Sequence, residues 1–324
     1  MGYSSLKLDK FLISMQNARM SHAQEARISG NVCFVRAYAK INLTLRVLGR
    51  RADGYHELES LVAFAGMGDA LTFAPGGALT LAISGPTAQA AGDNADNLAL
   101  KAARALAERI AGLTLGSFAL SKRLPVAAGL GGGSADAGAA LRLLARANGI
   151  ALDDPRLMQA AQATGADVPV CLASQACDMT GVGEKLMPLN PPKMPSVLVN
   201  PCVPVPTKDV FEALGLRHGE FLIGAADVML QASSWPEQGG SLEEWVEALA
   251  AGANDLEVPA TRIQPLIGEV IAALNATNGA WLARMSGSGA TCFAIYENTA
   301  EAQRAANKIR LDHPSWWVHA GVLS

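Results

Sequence analysis

The sequence predicts an α+β protein of two lobes, on three observations. Strand-like alternation and helix-like spacing mix along the chain without a clean β-α-β repeat, which argues against a doubly wound parallel sheet. The 324 residues make about two domains at roughly 150 residues each. Four prolines in the eight residues from Pro188 to Pro195 obstruct helix and central strand alike, and place a boundary near residue 190.

Composition excludes several classes. At 50% hydrophobic and 17% charged residues the chain is too apolar for intrinsic disorder. Its net charge of −3 lacks the cationic surplus of a dedicated DNA or RNA binder, so no nucleic-acid partner is expected. No stretch approaches the roughly 18 uninterrupted apolar residues of a membrane span, so no membrane partner is expected. The cysteines Cys33, Cys171, Cys177, Cys202 and Cys292 are odd in number and contain no C-x-x-C pair. Neither a disulfide framework nor a zinc knuckle is suggested, and a reducing cytoplasm fits best. Residues 1–32 place Lys7, Asp9 and Lys10 around a short apolar patch, Phe11 to Ile13. They read as a poorly ordered extension rather than a signal peptide.

From Cys33 to Val47 polar and apolar residues alternate, which predicts strands. Arg51-Ala-Asp-Gly-Tyr-His56 interrupts them with turn residues before Glu57 to Phe64 resumes as strand. Residues 93–111 place Leu98, Ala102, Ala105, Leu106 and Ile110 at helical spacing, with Asp93-Asn94 as the expected cap. A strand at Phe118 to Ser121 leads through a glycine-rich loop into a helix from about Ala135 to Ala147, closed by Asn148-Gly149. Beyond the prolines, Ser196 to Val199 reads as strand, and 208–214, 242–251 and 262–275 as helices. Cys292 to Tyr296 reads as strand, 300–311 as helix and Trp317 to Leu323 as a last strand.

The loop from Leu124 to Asp136 carries four glycines and three alanines and opens a helix. Clearing side chains from such a loop lets backbone N–H groups converge on an anion at the positive end of the helix dipole, and phosphate is the natural anion. It is not a Walker A loop, since no Gly-Lys-Ser/Thr follows. It also fails the dinucleotide fingerprint, because Ser134 stands where the third glycine would fall.

Pro125-x-x-x-Gly-Leu-Gly-Gly-Gly-Ser134 resembles the second motif of the GHMP small-molecule kinases, named for galactose, homoserine, mevalonate and phosphomevalonate. Ala39-Lys40-Ile41-Asn42-Leu43 is similar to their first motif, and Met285-Ser-Gly-Ser-Gly-Ala-Thr-Cys-Phe293 to their third. The likeness covers about residues 35 to 324. It implies a two-lobed GHMP kinase fold: a ribosomal-S5-domain-2-like amino-terminal lobe over 33–190 and a ferredoxin-like carboxy-terminal lobe over 191–324. It further implies ATP as co-substrate, with Mg²⁺, and phosphoryl transfer to an alcohol.

Carried over by resemblance, ATP is bound by Pro125, Val126, Ala127, Ala128, Gly129, Leu130, Gly131, Gly132, Gly133, Ser134 and Ala135. Gly287, Ser288 and Gly289 close the phosphate site. Asp167, in Gly165-Ala-Asp-Val-Pro169, matches the catalytic base, and Lys40 its partner lysine. The chemistry suits phosphoryl transfer, which needs an aligned hydroxyl, a proton acceptor and compensation of charge on the transferring oxygens. Taken singly, an aspartate there could cap a helix and the lysine could be a solvated strand residue.

The Arg51–His56 and Gly165–Pro169 motifs narrow the resemblance to one branch of the family. That branch phosphorylates the 2-hydroxyl of a cytidyl-diphosphate-linked methylerythritol on the non-mevalonate route to isoprenoid precursors. On that likeness Tyr55 and Phe211 stack on the cytosine, His56 hydrogen-bonds its edge and Asn42 holds substrate polar groups. Ala127, Ala128 and Ala135 depart from the family, which often has glycine and a second serine there. Ser134 and Asp136 lie near the helix start, yet Mg²⁺ binds mainly through substrate phosphates, so no protein ligand to it is assigned. Two alternatives stay open: a kinase for homoserine, mevalonate or another small alcohol, and a nucleotide-sensing protein without turnover.

Overall fold

A computed structural model of the chain describes residues 28–29, 32–91, 96–222, 235–236 and 239–324. They form two compact units, interleaved along the sequence. Of the described residues, the first takes those up to Ala39, between Met67 and Val126, and from Gly131 to Gln175, and the second Lys40–Gly66, Ala127–Leu130 and those from Ala176 onward. The α+β expectation holds.

In the first unit, strand β5 (Thr80–Ser84) runs parallel to β6 (Gly116–Ser121), and β6 pairs antiparallel with the far half of β4 (His56–Pro75), Ala70 opposite Ser121. Phe73 and Phe118 face each other across this ladder with ring centroids 4.6 Å apart. Both are fully buried, and each contributes about 2 kcal/mol of hydrophobic stabilisation. Helix α1 (Leu98–Ala107) packs on α2 (Gly132–Ala147), which also carries α3 (Pro155–Thr164) and α4 (Val168–Ala173).

In the second unit, the end of β2 (Val32–Asn42) is followed by β3 (Arg46–Arg50), which forms a hairpin with the near half of β4. β7 (Cys177–Gly181) pairs with β4 on one side and β8 (Lys185–Pro188) on the other. A further antiparallel sheet runs from β4 through β12 (Trp317–Leu323) and β9 (Met194–Asn200) to β11 (Cys292–Tyr296) and β10 (Ala280–Met285). Its core joins Val197, Val199, Met285, Ala294 and Tyr296 to Ile267 and Leu274 of α8 (Leu266–Asn275) and Ile309 of α9 (Thr299–Asp312). The remaining helices are α5 (Thr207–Glu212), α6 (Leu242–Ala251) and α7 (Glu257–Ile263).

Differences from the sequence expectation have local causes. The helix expected over 93–111 starts at Leu98, because the Asn97 side chain accepts the Ala99 N–H at 2.9 Å. The Asp93-Asn94 cap lies outside the described residues, as does nearly all of the 1–32 extension. The helix after the glycine loop starts at Gly132 rather than Ala135, since Gly131 ends the loop at φ 60 and lets two more glycines enter the helix. Proline stops the expected 262–275 helix, giving α7 and α8 on either side of Gln264-Pro265. The strand expected at Glu57 to Phe64 continues to Pro75. The strands β5, β7, β8 and β10 and the helices α3 and α4 were not anticipated; most are too short for periodicity to register.

Candidate active site

Within the second unit three distant segments are sewn together through their backbones. The Lys40 N–H donates to Leu130 O at 2.9 Å, and the Thr291 N–H to Ala128 O at 3.1 Å. Asn42 donates its N–H to Ser286 Oγ at 3.0 Å, and Ser286 Oγ donates in turn to Gly129 O at 3.1 Å. The Ala39–Leu43 segment, part of the first glycine loop and the second glycine loop thus share one network. Gly129, at φ +73, makes this approach feasible, for a Cβ there would collide with Ser286 O. Ala127 takes φ 51, where alanine carries about 1 kcal/mol of strain.

Lys40 is only 4% exposed, so it is not a solvated strand lysine. Asn42 is 1% exposed, and its Nδ2 donates to Ser60 Oγ at 2.7 Å. Its first task is therefore to brace one motif on another. The second loop hangs from Asn254, whose Nδ2 donates to Met285 O at 2.8 Å and Gly287 O at 2.9 Å, while Glu257 accepts the Met285 N–H at 2.8 Å. Ser288 Oγ lies 2.8 Å from Thr207 Oγ1.

Tyr55, in the β3–β4 turn, is 60% exposed. His56 opens β4 and stacks on Phe211 of α5, with ring centroids 4.5 Å apart and planes at 28°. Its Nε2 is buried without a hydrogen-bond partner. Burial first, then Arg50 and His218, lowers its pKa, so the ring is neutral at neutral pH.

In the first unit, α2 begins with Gly131 and no side chain caps its first turn. Its leading N–H groups at Gly132, Gly133 and Ser134 are available to an acceptor. Beneath them lies a buried ionic cluster. Lys122 Nζ donates to Asp69 Oδ2 and, at 2.8 Å, to Asp136 Oδ2. Asp69 Oδ1 also accepts the N–H groups of Arg123 and Leu124. Burial opposes the charge on Lys122, but Asp136 and Asp69 outweigh it and hold its pKa above the usual value. Burial, reinforced by Asp69 and opposed by Lys122, pushes Asp136 up to about 7.

Asp167 precedes α4 in the N-cap position, yet its side chain makes no capping hydrogen bond. Arg142 of α2 fixes α4 by donating to Cys171 O at 2.6 Å and Leu172 O at 3.2 Å. Asp167, Pro125, Val126 and Gly131 to Ala135 belong to the first unit. Lys40, Asn42, Tyr55, His56, Phe211, Ala127 to Leu130 and Gly287 to Gly289 belong to the second.

The sequence reading missed Asp69, Lys122, Asn254 and Ser60. A charge inside the apolar run from Leu61 to Phe73 was the available signal for Asp69, since a buried carboxylate requires a partner. Among the described residues no group of three His, Cys, Asp or Glu side chains could hold a metal ion.

Residues 97–175 match the family profile described as GHMP kinases N terminal domain, and 233–313 that described as GHMP kinases C terminal. The 4-diphosphocytidyl-2-C-methyl-D-erythritol kinase of Bradyrhizobium diazoefficiens is 68% identical over 88% of this chain and 96% of its own. That of Nitrobacter hamburgensis is 66% identical over 89% of this chain and 94% of its own. Among solved structures, a 4-(cytidine 5'-diphospho)-2C-methyl-D-erythritol kinase superposes with TM-score 0.69 at 34% identity, covering 90% of this chain and 99% of that one. Homoserine kinase from Cytophaga hutchinsonii superposes with TM-score 0.63 at 17% identity, covering 92% and 96%, a likeness of fold alone.

Proposed function

The chain belongs to the GHMP kinases, and from that membership we infer that it transfers the γ-phosphoryl group of ATP to the 2-hydroxyl of 4-diphosphocytidyl-2-C-methyl-D-erythritol, releasing ADP. This is a step of the non-mevalonate isoprenoid pathway. The observation that carries the choice of acceptor is the His56–Phe211 aromatic stack next in sequence to exposed Tyr55. Homoserine and mevalonate hold no base for such a surface.

The chain has three tasks in this reaction. The first-turn amides of α2 take phosphate oxygens at the positive end of the helix. Asp167 takes the proton of the acceptor hydroxyl as its oxygen attacks the γ-phosphorus and the bond to ADP breaks. Lys40 compensates charge on the transferring oxygens. Two facts support these roles: Asp167 is not used as a helix cap, and buried Lys40 is anchored through its own N–H to the glycine loop. Gly287, Ser288 and Gly289 close the phosphate site, and Asn42 presents its Oδ1 near Gly287.

The fit to Mg²⁺ is limited. Asp136 is already bound to Lys122, and the described residues build no cage of carboxylates. Mg²⁺ would arrive on the nucleotide's phosphates, offsetting part of their charge, and no protein ligand to it is assigned. No described helix is long and apolar enough to cross a membrane, and we place the enzyme in the cytoplasm. We propose a division of the family's two lobes near residue 190, at the proline-dense segment, although the compact units themselves interleave.

A coupled ADP-release assay with the cytidyl substrate, homoserine and mevalonate in parallel tests the acceptor. Release with the first alone is expected, and comparable release with either of the others overturns it. No release with any, while ATP still binds, favours the nucleotide-sensing alternative. In Asp167→Asn, kcat falls by about two to four orders of magnitude with ATP binding retained; near-normal kcat returns Asp167 to a structural place.

A further inference from the structure

The Asp69–Lys122–Asp136 cluster has no part in the chemistry above, yet it holds both ends of the first glycine loop. Asp69 Oδ1 takes the N–H groups of Arg123 and Leu124, where the loop begins. Lys122 Nζ ties Asp69 to Asp136, in the second turn of α2, where the loop has ended. The ammonium is 3.6 Å, and Asp69 Oδ2 3.9 Å, from the point where a Cβ on Gly132 would stand, so the charges lie directly under the backbone of the helix start.

The charge count is uneven. With both carboxylates ionised, two negative charges share one ammonium. Asp136 is 2% exposed and its Oδ1 is buried with no hydrogen-bond partner. The buried residues of α1 and α3, which pack on α2, carry no charge, and those of α4 add only the Cys171 thiol. Asp69 and Lys122 are therefore the charged groups that face Asp136. A polyphosphate on the amides above would bring more negative charge to this spot, and the simplest relief is a proton on the unpartnered oxygen.

We infer that Asp69, Lys122 and Asp136 are positioning residues for the nucleotide: they clamp both ends of the phosphate loop, and nucleotide binding raises the proton occupancy of Asp136, drawing up to one proton from solvent. The inference rests on the loop's role given above, and it deepens that role by making nucleotide affinity proton-linked. The native Asp136 carboxyl, pushed up to about 7, lies in the range where such uptake is measurable.

The experiment is calorimetric titration of the full chain with a non-hydrolysable ATP analogue between about pH 6 and about pH 8, in two buffers of different ionisation enthalpy. Wild type and Asp136→Asn are compared, so that the analogue's own ionisation is common to both. Wild type is expected to take up more protons than the variant and to lose affinity several-fold more steeply as pH rises. Across the same variants the KM for ATP moves and that for the cytidyl substrate does not. Identical proton uptake and parallel affinity profiles overturn the inference. If Asp136→Asn does not fold, wild type decides: uptake no greater than the analogue's own ionisation overturns it. Failure of wild type to bind the analogue under any condition strikes the loop's role itself, a separate outcome.

Discussion

The two glycine loops are both built of bare backbone, but they are held by different means, the second by an amide with one carboxylate, Glu257, on the Met285 N–H. The first is clamped at its ends by buried ions, Lys122 between Asp69 and Asp136. The carbonyls of the second, Met285 O and Gly287 O, hang from one neutral amide, Asn254. A buried ion cluster is strong only while complete, because removing one member strands the others in a low dielectric. An amide brace is weaker, but its two hydrogen bonds carry no proton that changes with pH. The contrast shows where this chain concentrates electrostatic sensitivity: under the backbone that opens α2.

Breaking each brace tests the contrast directly. Lys122→Met leaves two buried carboxylates without their cation and is expected to lower unfolding free energy by about 3–5 kcal/mol in urea denaturation. Asn254→Ala leaves two carbonyls without a donor while the neighbouring Glu257 contact persists, and should lower it by about 2 kcal/mol in the same measurement. An amide variant costing as much as the lysine variant would erase the distinction between the two loops.

The sequence made one of these regions far more legible than the other. Glycine density before a helix marks a candidate anion loop, because it clears side chains from the backbone N–H groups there. Ser286-Gly-Ser-Gly289 was read only through resemblance. What was not legible is what holds the loops. Asn254 lies 31 residues before Met285 in a helix-rich stretch, and no periodicity links an amide to a carbonyl at that range. Lys122 and Asp69 are 53 residues apart and meet only because β4 and β6 are paired there, Ala70 opposite Ser121. Lys40 and Asn42 were picked out by motif. That Asn42 first braces Ser60 and Ser286 depends on a strand register that the sequence does not state.

The smallest effect is the one that separates ionic from neutral holding most cleanly. The native Asp136 carboxyl, near 7, holds its proton far more tightly than an unfolded aspartate near 3.8. Between these values the native state binds more protons than the unfolded state, so stability falls as pH rises through the window and levels off above about 7. Burial and Glu59 push Asp178, in the second unit, up to about 6, and it adds a slope of the same sign. The informative quantity is therefore the difference between wild type and Asp136→Asn. Across the upper edge of the window, from about pH 6 to about pH 8, wild type should lose about 1 kcal/mol more than the variant in urea denaturation. Asn254→Ala, which removes no titrating group, should keep the wild-type slope at reduced stability. Equal slopes in wild type and Asp136→Asn would mean that the first loop is held no more ionically than the second.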